Sequence, residues 1–207
     1  VPPIPTPTPT EDPPTPTPTL TPAPTPELLV LQSGDYNGDG IADIAVFRPP
    51  SGLWAAKGLG RNYFGTNTDL PVSGDYDGDG YADIAIFRSA TGLWAIRDLT
   101  RLYYGSSNDK PVPGDYDGDG VCDIAIFGKT SGLWAIKDIT TVNYGTSGDL
   151  PVPADYDGDG YDDLAIFRQA TGLWAIQGIS CYYFGKSGDL PVPGYYKWYG
   201  SGSALGI

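Results

Sequence analysis

Four groups of oxygen-bearing side chains recur at a fixed interval of 40 residues. Asp35, Asn37, Asp39 and Asp43 are followed by Asp75, Asp77, Asp79 and Asp83, then by Asp115, Asp117, Asp119 and Asp123, then by Asp155, Asp157, Asp159 and Asp163. In each group they occupy positions one, three, five and nine of a short stretch whose sixth residue is glycine: Gly40, Gly80, Gly120 or Gly160. Alternate residues of a tight loop turn their side chains to one interior. A ring of carboxylates there suits a hard cation that takes six to eight oxygen ligands, Ca2+ above all. The carbonyl of the seventh residue, Ile41, Tyr81, Val121 or Tyr161, would add a further oxygen, and the glycine permits the positive φ such a loop needs. Up to four Ca2+ are therefore expected, with the first site the weakest because Asn37 carries no charge. The alternative is a plain Asp/Gly turn. Against it, several uncompensated carboxylates within a few ångströms would repel one another strongly.

The elements around these loops must be strands. Position twelve, where an EF-hand loop has a bidentate Glu, is Val46, Ile86, Ile126 or Ile166. In Asp83-Ile-Ala-Ile-Phe-Arg88, Ile84 and Ile86 alternate with Ala85 and Phe87, as in a strand covered on both faces. Gly92 marks a hairpin turn, Leu93 to Ile96 a second strand, and Arg101 to Tyr104 a third that stops at Gly105. Pro111-Val-Pro113 then leads into the next acidic loop, its prolines favouring an edge or crossing segment. Three or four short antiparallel strands per repeat is the content of one propeller blade. The fold class expected is all-β: a repeat array, most simply a small β-propeller of four to five blades, preceded by an extended polyproline II-like tail. Helix is excluded by the glycine and proline spacing.

Charge and composition narrow the chemistry. Net charge is −13, and 15 of the 25 acidic residues stand at the ligand positions of the four loops. Four divalent cations would supply eight positive charges and leave −5, so the acidity is mostly a metal signature. Neither nucleic acid nor an anionic membrane fits as partner, since both need clustered Lys and Arg. The chain has no histidine, the commonest general base. Carboxylates repeated alike in four places are unlike a catalytic site, which is singular. No enzyme is expected. The absence of methionine makes Val1 the expected start of a processed chain, and no apolar run approaches a membrane span. Cys122 and Cys181 stand at non-equivalent repeat positions, and either a disulfide or two thiols fits them.

Two domains are expected, a tail over 1–26 and a repeat domain over 27–207. The tail holds 12 prolines and 8 threonines. It would reach about 80 Å as polyproline II at ~3.1 Å per residue. It reads as a stalk or a plain linker. Thr6, Thr8, Thr10, Thr15, Thr17, Thr19, Thr21 and Thr25 are candidate O-glycosylation sites, and the tail is expected to be ordered against a neighbouring subunit, a sheath of glycans or its own domain. The repeats run 34–73, 74–113, 114–153 and 154–193, and a degenerate partial copy occupies 194–207. In that copy Tyr195, Lys197, Tyr199 and Ser203 replace the four ligands, so it cannot bind Ca2+ in the same way.

The text Gly-Asp-Tyr-Asp-Gly-Asp-Gly-x-x-Asp-Ile-Ala-Ile-Phe-Arg resembles the FG-GAP or VCBS-type repeats of bacterial extracellular proteins, and the resemblance runs from residue 34 to about 200. Similar calcium loops occur in the integrin alpha-subunit propeller. The resemblance implies that the carboxylates named above are calcium ligands. It also implies a calcium-stabilised β-propeller used in adhesion or as an extracellular or cell-surface scaffold. An unfinished fifth copy would expose a strand edge at Ser203 to Ile207, a template for another chain. The ordered tail is a candidate to dock there. Such a head-to-tail contact builds an open filament unless it closes, so the expected partner is a copy of the same chain in an extracellular fibre. Carbohydrate binding is the alternative, with Trp54, Trp94, Trp134 and Trp174 recurring in Gly-Leu-Trp-Ala. Core packing between blades is the simpler use of the same indoles.

Overall fold

Each Ala-Ile-Phe-Arg and Leu-Trp-Ala-Ile segment forms a strand, and together they build successive antiparallel sheets. The computed structural model describes residues 34–193. The tail with its threonines, the first residues of the repeat domain up to residue 33, and the partial fifth copy with its edge at Ser203 to Ile207 lie outside the described residues. The first sheet joins β1 (Ala45–Arg48), β2 (Leu53–Ala56) and β3 (Gly60–Tyr63) in that order. The second orders β4 (Leu70–Pro71), β5 (Ala85–Arg88), β6 (Leu93–Ile96) and β7 (Thr100–Tyr103). The same order recurs in β8 (Asp109–Pro111), β9 (Ala125–Gly128), β10 (Leu133–Ile136) and β11 (Thr140–Asn143). It recurs again in β12 (Leu150–Pro151), β13 (Ala165–Arg168), β14 (Leu173–Ile176) and β15 (Ser180–Tyr183). The blade-like all-β architecture expected from the sequence is thus present. Among the described residues there is no α-helix, only a 3-10 turn at Pro49–Ser51.

The prolines stand where a missing N–H costs nothing. Pro71, Pro111 and Pro151 lie on β4, β8 and β12, each the outermost strand of its sheet. The strand before an acidic loop pairs with the strand after it, Leu70 opposite Phe87 and Pro71 opposite Ile86. A sheet therefore straddles the boundary between two sequence repeats. The hairpin between the two long strands of each sheet that follow an acidic loop turns at Gly52, Gly92, Gly132 or Gly172, all with φ between 63 and 69°. A Cβ at Gly92 would strike the carbonyl of Gly105. Only glycine fits this turn.

Within each sheet a phenylalanine stacks on the tryptophan opposite, with ring centroids 4.9 to 5.2 Å apart. Such pairs add about 0.5–1.5 kcal/mol beyond the area they bury. Each of the four indole N–H groups among the described residues donates to a backbone carbonyl ten residues on, Trp94 to Tyr104 at 3.0 Å and Trp134 to Tyr144 at 2.8 Å. The rings then pack against the following sheet. Trp54, Phe47 and Phe64 meet Ile84, Ile86 and Ala95. The second sheet's Trp94 and Tyr104 meet Ile124 and Ile126, and the third sheet's Trp134 and Tyr144 meet Leu164, Ile166 and Ala175. The recurring tryptophan is core at three positions, Trp54, Trp94 and Trp134. Trp174, in the last described sheet, is half-buried.

Backbone bonds tie the sheets in series. The carbonyls of Asp35, Asp75 and Asp115 accept the N–H groups of Ala82, Cys122 and Asp162, each at 2.6 Å.

Candidate metal centre

Each of the three later acidic loops closes the pair formed by an outer strand and its neighbour, and the first loop leads into β1. The neck is held by backbone bonds: Asp43 N–H to Gly34 O at 2.9 Å, Asp83 to Gly74 at 2.7 Å, Asp123 to Gly114 at 2.6 Å and Asp163 to Ala154 at 2.9 Å. Below the neck the second residue of each later loop anchors it to the core. The hydroxyls of Tyr76, Tyr116 and Tyr156 donate to the carbonyls of Val72, Val112 and Val152 at 2.6 to 2.8 Å. These tyrosines were not among the site residues expected from sequence. Their recurrence directly after the first Asp was the available signal.

The first aspartate organises the turn. Asp75 Oδ1 accepts the N–H of Gly78 at 2.7 Å and its Oδ2 that of Gly80 at 2.8 Å, and Asp35, Asp115 and Asp155 make the same two bonds. Partial burial works to raise the Asp35 pKa. The N–H groups of Gly40, Gly38, Asn37 and Asp39 outweigh it and hold the carboxyl below its ordinary value.

Positions one, three and nine converge. In the sets Asp75, Asp77 and Asp83, Asp115, Asp117 and Asp123, and Asp155, Asp157 and Asp163, one oxygen of each member lies within 4.8 Å of the others. The fifth-position aspartates stand outside these groups. Asp39, Asp79, Asp119 and Asp159 instead accept the N–H of Ile41, Tyr81, Val121 and Tyr161 at 2.8 to 2.9 Å, capping the turn at the seventh residue. In the first loop Asn37 turns its amide N–H toward Asp43 Oδ1 at 3.1 Å, a donor where the other loops have a third carboxylate.

The ninth residue carries the electrostatic cost. Burial raises the pKa of Asp83, Asp123 and Asp163, and the neighbouring carboxylates, led by Asp77, Asp117 and Asp157, raise it further. The N–H donated by Tyr76, Tyr116 or Tyr156 does not compensate, and Asp123 is pushed up to about 6. Three carboxylates crowded until one resists ionisation are a donor set that a divalent cation relieves. All the side-chain donors are hard oxygens, which suits Ca2+ rather than a softer metal.

Residues 30–66 match the family model of the FG-GAP repeat. The resemblance read from the sequence therefore holds for the first copy, and the same pattern returns 40 residues on in each of the next three. Comparison with curated proteins and with solved structures gives no match. An FG-GAP repeat points to an integrin-like blade, a structural or adhesive module typical of extracellular or surface proteins. No helix among the described residues is long and apolar enough to cross a membrane.

Two further features were not anticipated. Arg88 donates through Nε and Nη2 to the buried Asp69 at 2.7 and 2.9 Å, and Arg168 does the same to Asp149 at 2.8 and 2.9 Å. The third sheet lacks the pair because Gly128 stands where the others have arginine. Cys122 and Cys181 are both free thiols, and burial pushes the Cys122 thiol far up, so it is inert as a nucleophile. Asp162, at the equivalent place in the fourth loop, is buried and accepts the Asp115 N–H at 3.1 Å, a second tie between sheets.

Proposed function

We propose that this chain is a non-enzymatic extracellular structural protein, a calcium-stabilised β-repeat subunit that assembles head-to-tail into a surface or secreted fibre. The observation that carries the reading is the repetition of one acidic loop, at the neck of one strand pair, in successive sheets of a single array. Asp75, Asp77 and Asp83, with their counterparts in loops three and four, would hold Ca2+, joined by the carbonyls of Tyr81, Val121 and Tyr161. Loop one would bind most weakly, because Asn37 already satisfies Asp43. Bound metal would neutralise the ninth-position carboxylates and convert its binding free energy into folding free energy. A cation serving structure needs no histidine and no singular site, and the composition has neither. The Pro/Thr tail, with its candidate O-glycosylated threonines, serves in this reading as linker or decoration between subunits.

Electron micrographs of the protein with calcium and with excess chelator test both parts together. Filaments that shorten or fall apart on chelation are the expected result. Monodisperse particles under both conditions, with a protease-sensitive tail, would overturn it. A carbohydrate-binding or adhesive role is favoured by one observation. Tyr182, Phe184 and the half-buried Trp174 line an open aromatic groove in the last described sheet. A glycan array without hits removes that role.

A further inference from the structure

The three internal junctions of the array all join the same two faces, and one of each is left over at the ends. At every junction a sheet offers a Trp with its flanking aromatics, and the next sheet covers them with two aliphatic residues, one just before its first long strand and one on it. Covered in this way, Trp94 and Trp134 are 0% exposed, and Ile86 and Ile166 on the receiving faces are 2% exposed. On the first sheet the corresponding aliphatic residues, Ile44 and Val46, are 70% and 56% exposed. On the fourth sheet the aromatic side is bare in turn. Phe184 is 73% exposed, whereas its equivalents Phe64, Tyr104 and Tyr144 are half-buried, and a groove of about 910 Å³ runs beside it. The two faces do not cover each other within one molecule.

We propose that the aliphatic face of the first sheet, built on Ile44, Val46 and Ala55, seats on the aromatic face of the fourth sheet, built on Phe167, Trp174 and Phe184, of a second copy of this chain. This rests on the self-assembly reading above and names the contact. The occupant follows from side-chain type. Three times within the chain an aromatic face of this composition is covered by Ile or Leu, then Ile, at a 40-residue spacing. The chain's own fifth copy has Ala204 and Gly206 at those two places, too small to fill the groove. The first copy has Ile44 and Val46 there, and Ala55 where the second has Ala95. Continuing the backbone ties would bring the Ala42 N–H of the incoming copy to the Asp155 carbonyl, as Ala82 meets Asp35. The contact uses different surfaces on its two sides, so it is heterologous and propagates into a filament unless its rotation closes a ring. Both faces are desolvated by the same burial that drives the internal junctions.

Val46→Glu and Phe184→Glu test this in the 207-residue chain, since each side chain is exposed in the single molecule and each variant's melt, expected to match the parent's, shows that its fold is kept. Assembly in calcium is followed by light scattering after size exclusion. The parent is expected to form long assemblies, and each variant alone to lose them, self-association weakening on the order of a hundredfold or more because a carboxylate would be buried unpaired. Mixing the two variants should then give a discrete one-to-one dimer. Val46→Glu keeps the aromatic face, Phe184→Glu keeps the aliphatic face, and only one productive junction remains. Variants that assemble like the parent would overturn the proposed contact while leaving self-assembly intact. So would variants that stay monomeric when mixed. A parent that is monomeric at every concentration would overturn both readings.

Discussion

Asp123→Asn separates a metal site from a metal-free turn. Extracellular calcium modules have dissociation constants of about 10⁻⁴–10⁻³ M. At 10 mM calcium one such site would stabilise the fold by about 1.4 to 2.7 kcal/mol. The three loops whose carboxylates converge would together contribute about 4 to 8 kcal/mol. For an array of this size each kcal/mol moves the melting temperature by about 2–4 °C, so chelation should lower it by roughly 10 to 30 °C. Asp123→Asn removes one site and should cut the calcium-dependent shift by about a third. In chelator the same variant should melt no lower than the parent. The amide still accepts the Tyr116 N–H, and the carboxylate that Asp115, Asp117 and Asp119 oppose is gone. Asp115→Asn is the contrast, because Asp115 holds the Gly118 and Gly120 N–H groups. It should destabilise with or without calcium. Calorimetry in both buffers decides the matter. A parent whose melt is the same in calcium and in excess chelator would refute the reasoning, as would an Asp123→Asn variant that loses its stability only in chelator.

Other outcomes follow from single contacts. Asp149→Ala should cost about 2–4 kcal/mol in denaturant titration, less than a fully buried pair because Arg168 is partly exposed. Burial works to raise Asp69 and Asp149, but Arg88 and Arg168, with Thr66 and Thr146, outweigh it and hold both carboxyls below the ordinary 3.8. Their stabilisation is therefore complete above pH ~4 and lost as pH falls through the lowered folded values. Asp69→Asn with Asp149→Asn should flatten that acid limb of a pH-dependent melt. Asp98 and Asp138 sit at φ 60° and 62° where the first and fourth copies have Gly58 and Gly178. Replacing each with glycine should leave the melt unchanged or raise stability by up to about 1 kcal/mol.

The array was legible because its signals are local and repeat. Asp-x-Asp-x-Asp-Gly, a Gly-terminated hairpin and alternating aliphatic strands each point to short antiparallel strands, and four copies in register make those signals agree. What the text did not reveal depends on who pairs with whom. The repeat drawn from the first Asp starts inside a sheet, since nothing in Leu70-Pro71 announces that its partner is Ile86-Phe87 beyond the loop. The Asp69–Arg88 pair joins residues 19 apart, and its absence in the third sheet rests on the single change at Gly128. Within the site, spacing placed the odd-numbered residues on one side, but backbone N–H groups compete for the same oxygens. The fifth-position aspartates are drawn into the turn by that competition, away from positions one, three and nine. The four tryptophans look equivalent in sequence. Only their place in the array separates the three covered by a following sheet from Trp174.

Because each four-stranded sheet is assembled from the end of one repeat and the start of the next, the natural step in the length of the array is 40 residues. Excising or inserting a 40-residue unit between Gly74 and Pro153 removes or adds one loop, one sheet and one junction. The leading Ile44 and Val46 and the trailing Trp174 and Phe184 stay as they are. Such a chain can vary its span by duplication without relearning how its ends meet their neighbours, much as a tile can be cut longer without changing its joints.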